Sequence, residues 1–229
     1  MAVEMLLPGR RIPAPKPPSY LALDMAFGVG NPAILGDKSI YRSHGTIVGA
    51  VPAAGVHGYC LDFDPTIPSY VVIPAAHTQL DFTSEDFSLI SRVYIDSLAV
   101  SRELFCRGLA NVDGYYSYIH DTGRLDVQTC QTPGVQSSRS SPGGIVIGTW
   151  YTLGWSRTGA SIRTYVNGLD DTTVAGVHID PLTSARSAKI GIYDNLIGSP
   201  YDGRMEFLRI FRGIALQPSE HLAWHNALA

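Results

Sequence analysis

From Tyr20 onward the chain alternates apolar and polar residues with a period of two, and Gly, Pro, Asn or Asp breaks the alternation roughly every ten residues. Successive side chains of a strand point to opposite faces, so such a pattern builds half-buried strands and excludes helices, whose apolar residues recur every three to four positions. In Phe87–Ile95, for example, Phe87, Leu89, Val93 and Ile95 share one face, and Ser88, Ile90, Arg92 and Tyr94 share the other. Strands are expected near Tyr20–Met25, Gly58–Phe63, Tyr70–Ile73, Phe87–Ile95, Leu104–Arg107 and Tyr115–His120. Further strands are expected near Arg124–Cys130, Gly144–Ile147, Trp150–Arg157, Ser161–Val166, Lys189–Tyr193 and Arg204–Phe211. Asp121-Thr122-Gly123 and Asn167-Gly168 supply the positive-φ residues of tight hairpins, so the pairing is antiparallel. Only Pro218–Ala227 reads as a helix, with Pro218 in the first turn and Leu222 spaced to pack inward.

The remaining features bound the class. Sandwiches run to 229 residues as single units, and residues 20–229 are read as one domain. Residues 1–19 form a separate extended arm, because Pro8, Pro13, Pro15, Pro17 and Pro18 exclude helix. A net charge of −3 with scattered basic residues leaves no electrostatic footprint for nucleic acid. No run approaches the ~20 apolar residues of a membrane span. Cys60, Cys106 and Cys130 cannot all pair within one chain and sit in strand-like runs, which favours free thiols and a reducing compartment. The N-terminal bases follow a short apolar run instead of preceding it, so the expected site of synthesis is the cytoplasm, without a signal peptide.

Catalytic constellations are absent. Glycoside hydrolysis needs two carboxylates at a defined separation across the scissile bond; Asp62 and Asp64 share a strand face, but Glu85 and Asp86 are adjacent and would point oppositely in a strand. His221 and His225 have metal-ligand spacing but lack the Glu of a zinc protease, and two ligands alone rarely hold zinc. Gly28-Val29-Gly30-Asn31-Pro32-Ala33 mimics a dinucleotide fingerprint, yet no amphipathic helix follows to cradle a pyrophosphate. The chain is therefore read as a non-enzyme without a required cofactor.

Six stretches, in order, resemble the laminin-G-like, concanavalin A-like lectin/glucanase superfamily, in its bacterial and viral pentraxin-like form. They are Asp37-Lys38-Ser39 with His44-Gly45-Thr46-Ile47, Leu61–Asp64 with Tyr70–Pro74, Phe87–Ile95, Thr149–Leu153, Ile162–Gly168 and Gly203–Phe211. The resemblance implies an all-β fold of two antiparallel sheets in a jelly-roll sandwich, followed by one short helix. It also implies a concave face and rim loops that bind ligands. Family members often carry calcium, for which Asp24, Asp37, Asp202 and Glu206 are the candidates, since hard cations want converging oxygens. By alignment Leu153 and Trp155 take the family's apolar positions. Arg92, Tyr94 and Trp150, with Tyr165, are left as candidate ligand-binding residues. Of the wider aromatic set, which includes Tyr115, Tyr116, Tyr118 and Tyr193, most are expected to fill the core.

Two functions follow as expectations. One is a non-catalytic structural or interaction protein, such as a virion decoration or fibre-associated subunit, that self-assembles or docks on protein through residues 1–19. The other is a glycan-binding module using the concave face and rim loops.

Overall fold

A computed structural model describes residues 18–27 and 33–228. The chain runs through β1 (Leu21–Ala26), β2 (Ile34–Leu35), β3 (Gly45–Val48), β4 (Val51–Ala54), β5 (Tyr59–Phe63) and β6 (Tyr70–Ile73). It continues through β7 (Phe87–Ile95), β8 (Arg102–Leu109), β9 (Asp113–His120), β10 (Arg124–Gln131), β11 (Gly134–Ser140) and β12 (Trp150–Thr158). The last elements are β13 (Ser161–Val166), β14 (Leu169–Asp170), β15 (Thr172–Val174), β16 (Ala188–Ile190), β17 (Gly203–Arg212) and helix α1 (Pro218–Leu228).

All pairings are antiparallel, and they form two sheets. One has eight strands in the order β14-β13-β12-β7-β17-β5-β4, with β1 also on β17. The other has nine, in the order β15-β11-β10-β9-β8-β16-β6-β3-β2. In the first sheet β17 is the hub. β7 runs along one of its edges, while the other is shared by β5 near Gly203–Met205 and β1 near Phe207–Phe211. A register shift between Met205 and Phe207 lies where those two partners change over.

The period-two rule holds across the core. Phe87, Leu89, Val93 and Ile95 of β7 and Leu153 and Trp155 of β12 share one buried cluster with Leu104, Phe105, Tyr115, Ile119, Leu125 and Val127 of the nine-stranded sheet. Phe87 joins the sheets, with its ring 5.1 Å from Trp155 and 5.0 Å from Tyr115. Cys60, Cys106 and Cys130 are buried free thiols. The hairpin at Asn167-Gly168 has the expected left-handed backbone, with φ of 51° and 77°.

Three expectations change. Gly144–Ile147 forms turns and no strand. The strand expected over Lys189–Tyr193 ends at Ile190, because Gly191 turns the chain with φ 84°. In α1 the inward residue is His221 and not Leu222, which is 38% exposed. His221 fits because Gly154 beneath it has no side chain; a Cβ there would lie 2.7 Å from the imidazole. The fingerprint-like segment, residues 28–32, lies outside the described residues, as do residues 1–17 of the arm.

Candidate functional site

Arg92, Tyr94 and Trp150 meet on the outward face of the eight-stranded sheet. The pairing of β7 with β12 sets Trp150 opposite Tyr94 and Thr152 opposite Arg92. The Tyr94 and Trp150 rings are 5.4 Å apart, and the Arg92 guanidinium carbon lies 5.8 Å from the indole centroid. Arg92 is only 6% exposed and donates from Nη1 to Thr152 Oγ1 at 3.2 Å. Burial lowers its pKa, and the Glu206 carboxylate opposes that shift.

Arg204 belongs to this group and was missed by the sequence reasoning. It lies opposite Tyr94 in register, with its guanidinium carbon 4.0 Å from the Tyr94 centroid and 5.9 Å from that of Trp150. The signal was available in the alternation of β17, which puts Arg204 and Met205 on opposite faces. The same cross-strand row continues to Asp62 and Val51.

Tyr165 is not part of the group. It faces outward from β13, but α1 covers it, and its ring stacks on His221. His225 does not join His221 around a metal; its Nδ1 lies 3.4 Å from Thr152 Oγ1.

The four acidic candidates for calcium have separate occupations. Asp37 is buried and organises its loop, accepting from the backbone N–H groups of Asp24, Ser39 and Ser43 and from Ser39 Oγ at 2.7–2.9 Å. Asp24 pairs with Arg209 at 2.6 Å and Asp202 with Arg102 at 3.2 Å. Glu206 accepts from the N–H groups of Val56 and His57 and faces His57 Nδ1 at 2.9 Å. Among the described residues no group of three or more His, Cys, Asp or Glu is placed to hold a metal ion.

The nine-stranded sheet carries a second feature on its own outward face, an open cavity of about 300 Å³ lined by Glu103, Tyr116, Tyr118, His120 and Tyr193 with Ser101 and Ser199 at its edge. Register builds it: β8 and β9 place Glu103 opposite Tyr118, and Tyr116 comes two residues before Tyr118 on the same face. Tyr116 and Tyr118 stack with centroids 6.1 Å apart, and Tyr193 meets Tyr116 edge-on at 5.2 Å. The phenols are oriented by a relay. Tyr116 donates to Gln128 Oε1, Gln128 Nε2 donates to Tyr118 at 3.1 Å, and Tyr118 donates to Asp126 Oδ2 at 3.1 Å. Arg124 holds the other oxygen of Asp126 at 2.8 Å.

Glu103 is 1% exposed, and its Oε1 has no hydrogen-bond partner. Burial pushes its carboxyl well above the usual carboxylate range, and burial likewise raises the Tyr116, Tyr118 and Tyr193 phenols. The lining therefore presents neutral groups that can both donate and accept hydrogen bonds. Tyr115, their neighbour, points the other way into the core, as alternation requires.

A family model described as the concanavalin A-like lectin/glucanases superfamily matches residues 67–220. No curated protein sequence matches the chain. Among solved structures, domain 4 of AbnA, an extracellular arabinanase from Geobacillus stearothermophilus in complex with arabinotriose, superposes with TM-score 0.65 at 19% identity, covering 90% of this chain and 98% of that one. The binding domain of Paraclostridial mosquitocidal protein 1 gives 0.67 at 13%, covering 92% and 53%. The receptor-binding domain of botulinum neurotoxin D gives 0.69 at 11%, covering 92% and 53%. The chain thus spans about half the length of each of those two toxin chains. At these identities the likeness is one of fold.

Proposed function

The chain belongs to the concanavalin A-like lectin/glucanase superfamily, and from that membership we propose that it is a non-catalytic glycan-binding module whose ligand sits in the tyrosine cavity. One observation carries the reading: three tyrosine rings surround a buried carboxyl with an unpartnered oxygen. Aromatic faces stack on sugar rings, and a buried polar atom without a partner costs about 1–3 kcal/mol until something meets it. A saccharide supplies both complements, a ring face and a hydroxyl. The arabinotriose held by the arabinanase domain, which this chain matches over nearly all of that domain's length, supports the ligand class.

Hydrolysis is not favoured by the same geometry. A glycosidase needs a second carboxylate about 5–9.5 Å away and free to act, whereas Asp126, the acid next in the relay, is occupied by Arg124 and Tyr118. The test is a glycan array followed by calorimetry with arabino-oligosaccharides and the best array ligand. Tyr118→Ala and Tyr193→Ala should each weaken binding about tenfold or more. Unchanged binding in both variants would overturn the assignment.

A second reading, an assembly subunit such as a virion decoration or fibre-associated protein that docks through residues 1–19, draws on one surface feature. Val51, Val56 and Tyr59 are more than half exposed at or beside β4, the terminal strand of the eight-stranded sheet, where an apolar edge invites a partner chain. Light scattering of the full chain and of a chain lacking residues 1–19 tests it. Collapse of an oligomer to a monomer supports assembly through the arm; an unchanged mass counts against it.

A further inference from the structure

We infer that Arg92 and Arg204, converging on Trp150, form a second binding site on the eight-stranded sheet that takes the carboxylate or sulfate group of an acidic saccharide. The inference rests on the glycan-binding reading of the chain but places a different ligand on the opposite face. Its starting point is Arg92, which is buried, only 6% exposed, and has an Nε with no hydrogen-bond partner among the described residues. Buried cations are normally paired and fully hydrogen-bonded, because desolvation of an unmatched charge is costly. Among the described residues no carboxylate lies within ion-pair distance of Arg92 or Arg204, whereas Arg102, Arg107, Arg124, Arg157, Arg209 and Arg212 each have one.

The nearby acids do not meet the need. Glu206 attracts Arg92 electrostatically, but its oxygens are held by the Val56 and His57 N–H groups and the His57 ring. Asp62 stands opposite Arg204 in register and attracts it electrostatically without forming an ion pair; burial and Asp96 raise the Asp62 pKa and Arg204 lowers it. His225 brings no competing charge, since burial, reinforced by Arg92, lowers its pKa. Two like-charged guanidiniums approaching one indole from β7 and β17 repel each other, and an anion between them removes the repulsion. A guanidinium presents donors in a fork that matches the oxygens of a carboxylate or sulfate. Trp150, over which the two guanidiniums lie 5.8 and 5.9 Å from the centroid, then offers a ring face to the frame that carries the anion.

The experiment is calorimetry on the full chain at low salt, with trigalacturonate as the carboxylate probe and a heparin-derived sulfated disaccharide as the sulfate probe. Inorganic sulfate serves as the control. We expect at least one saccharide to bind, binding to weaken with salt, and Arg204→Gln to weaken it about tenfold or more. Tyr118→Ala, in the other cavity, should leave it unchanged. Arg204 is half-buried and makes no hydrogen bond or ion pair to another described side chain, so this variant is expected to keep the fold, which circular dichroism verifies. Whichever probe binds distinguishes carboxylate from sulfate. The inference is overturned if neither acidic probe binds, if Arg204→Gln binds as wild type, or if inorganic sulfate binds as tightly as the saccharides. Loss of acidic binding in Tyr118→Ala alone would also overturn it by moving the ligand to the tyrosine cavity. Neutral-glycan binding that persists while both acidic probes fail separates this failure from that of the proposed function.

Discussion

The Tyr165 ring lies flat on the His221 imidazole, with centroids 3.8 Å and planes 13° apart, and His221 Nε2 meets Ser156 Oγ at 2.8 Å. Burial pushes the His221 pKa down to about 3. His178, which bridges Thr129 of β10 and Ser138 of β11, is pushed down to about 4 by burial and then by Arg157. The folded chain therefore keeps both rings neutral where the unfolded chain would protonate them.

Acid stability follows from this pair. Above pH 6.5 neither state binds the extra protons, so the full contribution is present. As pH falls from 6.5 toward 4 and then 3, the unfolded state gains protons first and stability is lost, roughly 3 kcal/mol for His178 and roughly 5 kcal/mol for His221 over the full range. Urea midpoints measured between pH 7 and pH 4 should fall, and His178→Gln should flatten that fall.

Glu103 behaves with the opposite sign. Its folded-state pKa is raised, so its contribution is largest below the unfolded value near 4.5 and declines as pH rises, because only the unfolded state readily ionises. Glu103→Gln keeps the shape and removes the ionisation. We expect the variant to match wild type at pH 4 and to exceed its stability by ~1–3 kcal/mol at pH 8, as read from urea unfolding at the two pH values.

Gly154→Ala should loosen the attachment of the terminal helix. The new methyl would sit 2.7 Å from His221 Cε1 and Nδ1 and 3.1 Å from the Leu89 carbonyl oxygen. Overpacking of this kind costs ~1–3 kcal/mol. A thermal melt should show the loss, and adding His221→Ala should recover part of it by making room.

Arg107 anchors the turn before β7 to β8. It is fully buried, grips both Asp81 oxygens at 2.8 and 3.0 Å, and reaches the Ala75 and Ser184 carbonyls. Arg107→Ala leaves the Asp81 carboxylate and two carbonyls without their cation, so denaturant unfolding should show a loss of ~3–5 kcal/mol.

The fold was legible where alternation and turn chemistry agreed. β7 and β13 have the bounds that alternation assigns, and α1 starts at the expected Pro218. β11 escaped because Gln136-Ser137-Ser138-Arg139 offers no apolar alternation, and β4 because Pro52 argues against a strand except at a sheet edge, where β4 lies. The site was legible only in parity. Alternation placed Arg92 and Tyr94 on one face correctly, and it separates Tyr116 and Tyr118 from Tyr115. It could not show that α1 folds back over Tyr165, nor that Tyr193, more than 70 residues downstream of Tyr116, completes a cavity with them. Those are facts of long-range packing, which local pattern does not encode.

Because alternation sends Arg92 and Tyr118 out through opposite sheets of the sandwich, two sheet layers about 10 Å apart separate the two faces. One short saccharide cannot span them, and occupying one leaves the other open. With both proposed sites filled, such a molecule would be bivalent: a single copy would cross-link two polymer strands of different charge, and a surface displaying both would retain it far more strongly than either strand alone.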